Sequence, residues 1–399
     1  MAAAAAAAAA AKPTRKALGQ YFTKAEELQT FVFDKVVHKG APLLEPSFGA
    51  GHLLRRFKDW DANYPMTCFE IDQTIPPVLE FNGHQTVRYE DFTAAAPTLP
   101  KFRTIVGNPP YVKQRGKANL YIRFIELCFD LLADDGEMIF IVPSDFIKLT
   151  SAAPILTRMA AAGAMTDFLF PHNEHLFEEA AVDVVVFRYQ KGAVGSRCTV
   201  NGTSSQYMIR NGILTFPTSD PSLSSAALAT TFADHFDAYV GLVSGKDEIY
   251  RTSSANIDVL MDEGRTERFL FPETFPTGSA AADAHLIAHK PALLARRIKK
   301  FSEANWWSWG APRNLTAIRA HWGKPCIYIR NMTRKAAVAF VGSVEYFGGS
   351  LICLVPKVAT TALEPIVAAM NTEAFQREYM YAGRFKIGHK QICCATLAP

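Results

Sequence analysis

Two adjacent prolines, Pro109 and Pro110, follow the apolar pair Ile105 and Val106. Proline has no backbone N–H and a fixed φ, so neither a helix nor a central strand continues through such a pair. Ile105 and Val106 therefore read as the end of a buried strand, closed by Gly107. The sequence that follows, Asn108-Pro109-Pro110-Tyr111, stands at the strand's C-terminal end, where the carbonyls of Asn108 and Pro109 are expected to be free. Asn108 adds an amide oxygen and Tyr111 a flat π surface. Acceptors for two N–H donors, with one face to stack on, would grip an exocyclic amino group on a planar ring, such as the N6 amine of adenine.

The flanking chain alternates short apolar runs with helical periodicity. Further strands are predicted at Leu43–Leu44, Met66–Asp72, Thr86–Phe92, Glu137–Pro143, Thr166–Phe170 and Ala181–Gln190. Helices are predicted over Ala25–Val37, with Leu28, Phe31, Val32 and Val36 inward, and over Asn119–Leu132 and Ala152–Ala162. A further helical start follows at His52–Phe57, and Asp134–Gly136 reads as a turn. This alternation predicts an α/β fold with a mostly parallel, seven-stranded sheet covered on both faces. Ligand loops then gather at the C-terminal ends of the strands.

Those ends carry chemistry. Thr23 is placed to N-cap the first helix, with Glu26 completing a capping box, and the free N–H groups there suit a carboxylate. Glu45 ends the Leu43–Leu44 strand, and Gly49 and Gly51 follow it in a tight turn that lets a ligand approach the backbone. No Gly-Lys-Ser/Thr follows, which excludes a triphosphate-binding P-loop. Glu70 closes the next apolar run about 20 residues on, where a carboxylate reaches ribose hydroxyls in dinucleotide-type folds. Asp91 and Phe92 end a third strand as an acid followed by an aromatic. Pro171–Glu179 is a polar loop with one aromatic, Phe177, expected to be exposed.

With 399 residues, the chain suggests two domains. No run of about 18 apolar residues occurs that could span a membrane. Ala2–Ala11 is an alanine run with no basic residues before it; it is not a signal peptide, and residues 1–11 read as a tag or placeholder. The seven cysteines show no metal-ligand or CxxC spacing, so no metal site is expected, and they read as free thiols in a cytoplasmic protein. Residues 12–235 form the expected catalytic domain and 236–399 a second one. Charge is uneven: residues 290–399 hold 16 Lys or Arg against 5 Asp or Glu, which points to a polyanion partner. Trp306, Trp307, Trp309 and Trp322 interleave there with basic residues, a composition suited to nucleic acid. Arg297, Lys299 and Lys300 are expected on one helix face meeting phosphates. Arg313 and Arg330 are placed where a fixed guanidinium could meet a base edge.

Taken in order, Gly19–Thr23, Leu44–Gly51, Phe69–Asp72, Glu90–Phe92 and Asn108–Tyr111 resemble the gamma class of N6-adenine DNA methyltransferases from type II restriction-modification systems. By motif, the resemblance covers residues 18–190. It implies the class I S-adenosylmethionine-dependent methyltransferase fold, Rossmann-like, followed by a target-recognition domain. Thr23 would hold the methionine carboxylate, Glu45, Gly49 and Gly51 the methionine side, Glu70 the ribose, and Asp91 with Phe92 the cofactor adenine. Pro110 would border the cofactor. Asn108, Pro109 and Tyr111 would hold a flipped adenine, with Phe177 on its other face. Phe48 is bulkier than the small residues some members carry. Double-stranded DNA is the implied partner of a monomer, with any cognate endonuclease encoded separately. Related activities on RNA or on a protein glutamine amide share the tetrapeptide.

Overall fold

The computed structural model describes residues 19, 21–112, 119–171, 173, 176–177, 182–210, 212–216, 230–377, 379–381 and 384–397. The alanine run and the basic residues after it lie outside these. The chain divides into two compact units, Met1–Ser219 and Asp220–Pro399.

The first unit is built on a nine-stranded sheet in the order β3-β2-β1-β4-β5-β7-β6-β8-β9. Its strands are β1 (Leu43–Glu45), β2 (Met66–Phe69), β3 (Gln85–Arg88), β4 (Phe102–Gly107), β5 (Leu132–Pro143), β6 (Gly163–Leu169), β7 (Val184–Lys191), β8 (Arg197–Val200) and β9 (Thr203–Gln206). Strands β1 to β5 pair in parallel, and β7 runs antiparallel to both β5 and β6. Seven strands match the expected sheet, and the hairpin β8-β9 extends its edge. The expected Asp134–Gly136 turn falls within the span of β5, beside a register shift against β4. The strand order reverses between β1 and β4, which opens a crevice at their C-terminal ends. Glu45 ends β1 and Asn108 follows β4, so both stand at that crevice.

Leu28 and Val32, on the helix Glu26–Lys35, are buried as expected. The predicted capping box is absent. The N-cap is Ala25, without a side-chain hydrogen bond, and Thr23 lies outside the helix. Its hydroxyl is buried and engaged elsewhere, so it cannot reach the helix start. The far end of the helix is locked to the sheet. The buried Glu137 carboxylate accepts from the N–H groups of Val37 and His38, both at 2.9 Å, and from Arg188 Nε at 2.9 Å. An ion pair with its lone pairs occupied in this way fixes orientation more than it adds stability.

The second unit holds an antiparallel sheet of the strands Phe236–Val240, Leu351–Pro356, Pro325–Arg330 and Ala339–Ser343, in that order. An antiparallel hairpin of Ile257–Asp262 and Arg265–Phe269 falls between the first two of these strands in sequence. Thr231 bridges to Thr396, and Phe232 N–H donates to Ala395, so residues before the expected 236 boundary belong to this unit.

Candidate active site

The segment Gly19–Thr23 lies against the tetrapeptide. Tyr111 N–H donates to the Gly19 carbonyl at 3.2 Å. Gly19 has φ +65°, and a Cβ there would come within 2.9 Å of Tyr111 N, so glycine alone permits this approach. The side-chain amide of Asn108 is then clamped, with Nδ2 donating to the Tyr21 carbonyl at 2.8 Å and to Thr23 Oγ1 at 3.0 Å. A carbonyl can only accept, so the Tyr21 contact fixes which side of the amide is nitrogen. Oδ1 therefore faces the other way and accepts from the Tyr111 hydroxyl at 2.5 Å. Burial pushes the Tyr111 phenol well above its ordinary range, which keeps it a neutral donor. The Asn108 carbonyl, expected free, accepts from Ser47 Oγ at 3.3 Å.

The glycine loop after β1 turns through left-handed backbone at Gly49 (φ 57°) and Gly51 (φ 89°). Glu70, just past β2, holds this loop, with Oε2 accepting from Gly49 N–H at 3.0 Å and Oε1 from Asp72 N–H at 2.9 Å. Burial raises its carboxyl, and these two N–H groups pull it back. Glu45 is buried more completely. Its Oε1 accepts from Ser47 N–H at 3.1 Å, and its Oε2 has no hydrogen-bond partner among the described residues. Burial pushes this carboxyl up to about 8, against the pull of Ser47 and with a further push from the Glu70 charge. A buried carboxylate oxygen left without a partner is suited to a cation or a strong donor. Glu45, Thr23, Ser47, Phe48, Gly49 and Asn108 line one cleft.

Other predicted residues lie differently. Strand β3 stops at Arg88, and Asp91 caps the short helix Phe92–Ala95, accepting from Thr93 N–H at 2.8 Å. Phe92 is buried between Phe69 and Phe124, ring centroids 5.4 and 5.2 Å away. Neither residue lines the cleft. Pro109 is buried and Pro110 half-buried. Phe177 is 4% exposed, contrary to the expectation of an exposed ring. It sits 5.6 Å from Tyr21 and edge-on to Tyr111 at 6.3 Å, because burying aromatic area outweighs the polarity of its loop. Sequence reasoning missed Tyr21 and Ser47, which bond Asn108.

In the second unit, the helix Lys290–Leu294 ends before the basic cluster, so the expected charged helix face does not form. Arg297 and Lys300 are exposed, whereas Lys299 Nζ is tied to the Trp309 carbonyl at 3.0 Å. Arg313 is exposed in a turn. Arg330 is not available to a ligand. Its buried guanidinium bonds Asp262 at 2.7 Å, the Ala337 carbonyl at 3.0 Å and Glu263 at 3.2 Å. Trp306 and Trp309 are core residues, with Trp309 Nε1 donating to the Leu270 carbonyl at 2.9 Å; Trp322 is 53% exposed.

The strand order and the reversed β7 are those of class I S-adenosylmethionine-dependent methyltransferases. Residues 84–160 match the family model described as Eco57I restriction-modification methylase. The type II methyltransferase M.HincII of Haemophilus influenzae is 26% identical over 198 residues, 44% of this chain and 38% of that protein. A ribosomal RNA small subunit methyltransferase A of Mesomycoplasma hyopneumoniae is 31% identical over 100 residues, 24% of this chain and 38% of that protein. The chain thus spans little more than a third of the length of either relative. The solved type IIL restriction-modification enzyme MmeI, in complex with DNA, superposes with a TM-score of 0.53 at 9% identity, covering 92% of this chain and 63% of that one. That likeness concerns the fold.

Proposed function

We infer that the protein is a site-specific DNA methyltransferase that transfers a methyl group from S-adenosylmethionine to the N6 amine of an adenine flipped out of duplex DNA. The observation that carries this reading is the fixed amide of Asn108. Its nitrogen is engaged by Tyr21 and Thr23, which leaves Oδ1 as an acceptor beside the Tyr111 ring and next to the cleft.

The residues fit the donor. The unpartnered Glu45 oxygen suits the ammonium of a methionine moiety, and Glu70 has lone pairs left for a ribose diol. Thr23, Gly49 and Gly51 would border the methionine side, Pro110 would adjoin it, and Asp91 with Phe92 would flank the adenine end. When bound, the sulfonium supplies an activated methyl group. The chain's own residues act on the acceptor. An adenine amine is a poor nucleophile because its lone pair is delocalised into the ring. Acceptors at Asn108 Oδ1 and the Pro109 carbonyl draw its two N–H bonds aside and restore lone-pair density on nitrogen. Tyr111 and Phe177 would stack on the base, and flipping is required because a paired base is out of reach. Positioning supplies much of the remaining acceleration.

Exposed Arg297, Lys300 and Arg313 support DNA as the partner of the second unit. The likeness to a ribosomal RNA methyltransferase favours RNA adenine as the second reading. Tritiated methyl transfer to duplex DNA and to ribosomal RNA separates the two, followed by mass spectrometry of the nucleosides. N6-methyladenine in DNA is the expected product. Label confined to RNA, or found on cytosine, would overturn the proposal.

A further inference from the structure

Resting on that reading, we propose that Thr23 positions the acceptor amide of Asn108. Thr23 is 4% exposed, and its hydroxyl lies 3.0 Å from Asn108 Nδ2. Its own backbone is held from the helix side, where the buried Gln29 donates through Nε2 to the Thr23 carbonyl at 2.8 Å. The chain of contact is therefore Gln29 to Thr23 to Asn108, and it connects the locked helix Glu26–Lys35 to the tetrapeptide after β4.

The geometry explains why two clamps are needed. The Tyr21 carbonyl alone would select the orientation of the amide, but one hydrogen bond leaves a swing about χ2, which is a soft torsion for asparagine. A second acceptor at Thr23 closes that freedom and satisfies the remaining N–H. Turning the amide over would set Oδ1 against the Tyr21 carbonyl, oxygen to oxygen, and would leave Nδ2 pointing where the amine must donate. Thr23 thus works through Asn108.

The test uses the full chain with Thr23→Val, which keeps shape and removes the hydroxyl, and Thr23→Ser, which keeps the hydroxyl. Single-turnover methyl transfer at saturating cofactor should fall about tenfold in the Val variant, the rate equivalent of removing one hydrogen bond, and recover in the Ser variant. Calorimetry gives the cofactor affinity of each variant, so that transfer is compared at true saturation. An assay independent of turnover follows the Asn108 side-chain amide by nitrogen-15 NMR. One of its protons should exchange about tenfold faster in Thr23→Val. Should the Val variant misfold by circular dichroism, Thr23→Ala gives the same readings without overpacking. Weakened cofactor binding with full transfer at saturation would return Thr23 to the carboxylate and overturn the proposal, as would unchanged amide exchange. Wild-type protein that methylates no adenine would instead refute the functional reading, while the amide measurement still decides the clamp.

Discussion

Tyr21 lies flat on Tyr111, with ring centroids 5.0 Å apart and the planes inclined by 30°. One face of Tyr111 already carries a phenol, and Phe177 lies 5.6 Å from Tyr21 and edge-on to Tyr111 at 6.3 Å. Stacking of this kind contributes about 0.5–1.5 kcal/mol beyond burial. A base entering between Tyr111 and Phe177 must displace the Tyr21 ring, though not its carbonyl. We predict that Tyr21→Leu lowers the KM for DNA by up to roughly tenfold, with kcat kept because Tyr21 holds Asn108 through its backbone carbonyl. A raised KM would mean that Tyr21 itself supports the base.

Asn108→Ala should abolish methyl transfer, by about 100-fold or more, with cofactor affinity near that of the wild type. The side chain bonds the chain and the acceptor side, and its removal leaves Glu45 and Glu70 in place. Parallel measurement of tritium incorporation and calorimetry decides this, and near-normal turnover would remove Asn108 from the mechanism.

Glu45 sets a pH dependence. The folded carboxyl is raised to about 8 from 4.5, so between those values the folded chain binds more protons than the unfolded one. Stability of the free protein should therefore fall as pH rises through that window, and Glu45→Gln should remove the slope. Around Glu45 stand Ser47, Cys68, Cys128 and Glu70, and none of these is a cation. A cationic ligand needs the ionised form, so its affinity should rise with pH, by up to roughly tenfold per unit below about pH 8. Calorimetry in buffers of different ionisation heat should register one proton released, and a flat profile would refute this.

Glu70→Ala should weaken S-adenosylmethionine binding by about 1–3 kcal/mol, because the diol hydrogen bonds go and the Gly49 N–H is freed. Glu70→Gln, which keeps an acceptor for that N–H, separates the two contributions. Unchanged affinity in both variants would shift the ribose hydrogen bonds to Asp72.

The basic residues of the second unit should divide by burial. Arg330→Met should destabilise the unit by about 2 kcal/mol or more in denaturant unfolding, since Asp262, held down at about 2 by its cationic partners, loses one of them. Arg297→Gln with Lys300→Gln should leave stability unchanged and flatten the salt dependence of DNA binding, by roughly 0.9 for each phosphate no longer neutralised. Arg313→Ala should cost about 1–3 kcal/mol on the cognate site alone, if it reads a base. A cluster variant with the full salt slope would remove that surface from the DNA interface.

Local chemistry determined a great deal by itself. Prolines after an apolar run, glycines after a strand and acids at strand ends are constraints a chain carries in any context. From them came the strands β1, β2 and β4, the loop at Gly49 and Gly51, and the position of Asn108 at a strand's C-terminal end. The alternation of periods also implied the mostly parallel sheet. Burial and partnership were decided only by tertiary structure, because both depend on groups far apart in the chain. Thr23 reads locally as a helix cap, yet a partner 85 residues away takes its hydroxyl. Phe177 reads as exposed in a polar loop, yet two tyrosines bury it. Arg330 and Trp309 read as nucleic-acid residues, yet an arginine can satisfy carboxylates and carbonyls inside a fold, and a tryptophan needs only one acceptor to be buried. Composition counts such groups, but the folded chain decides which of them remain free to meet a ligand.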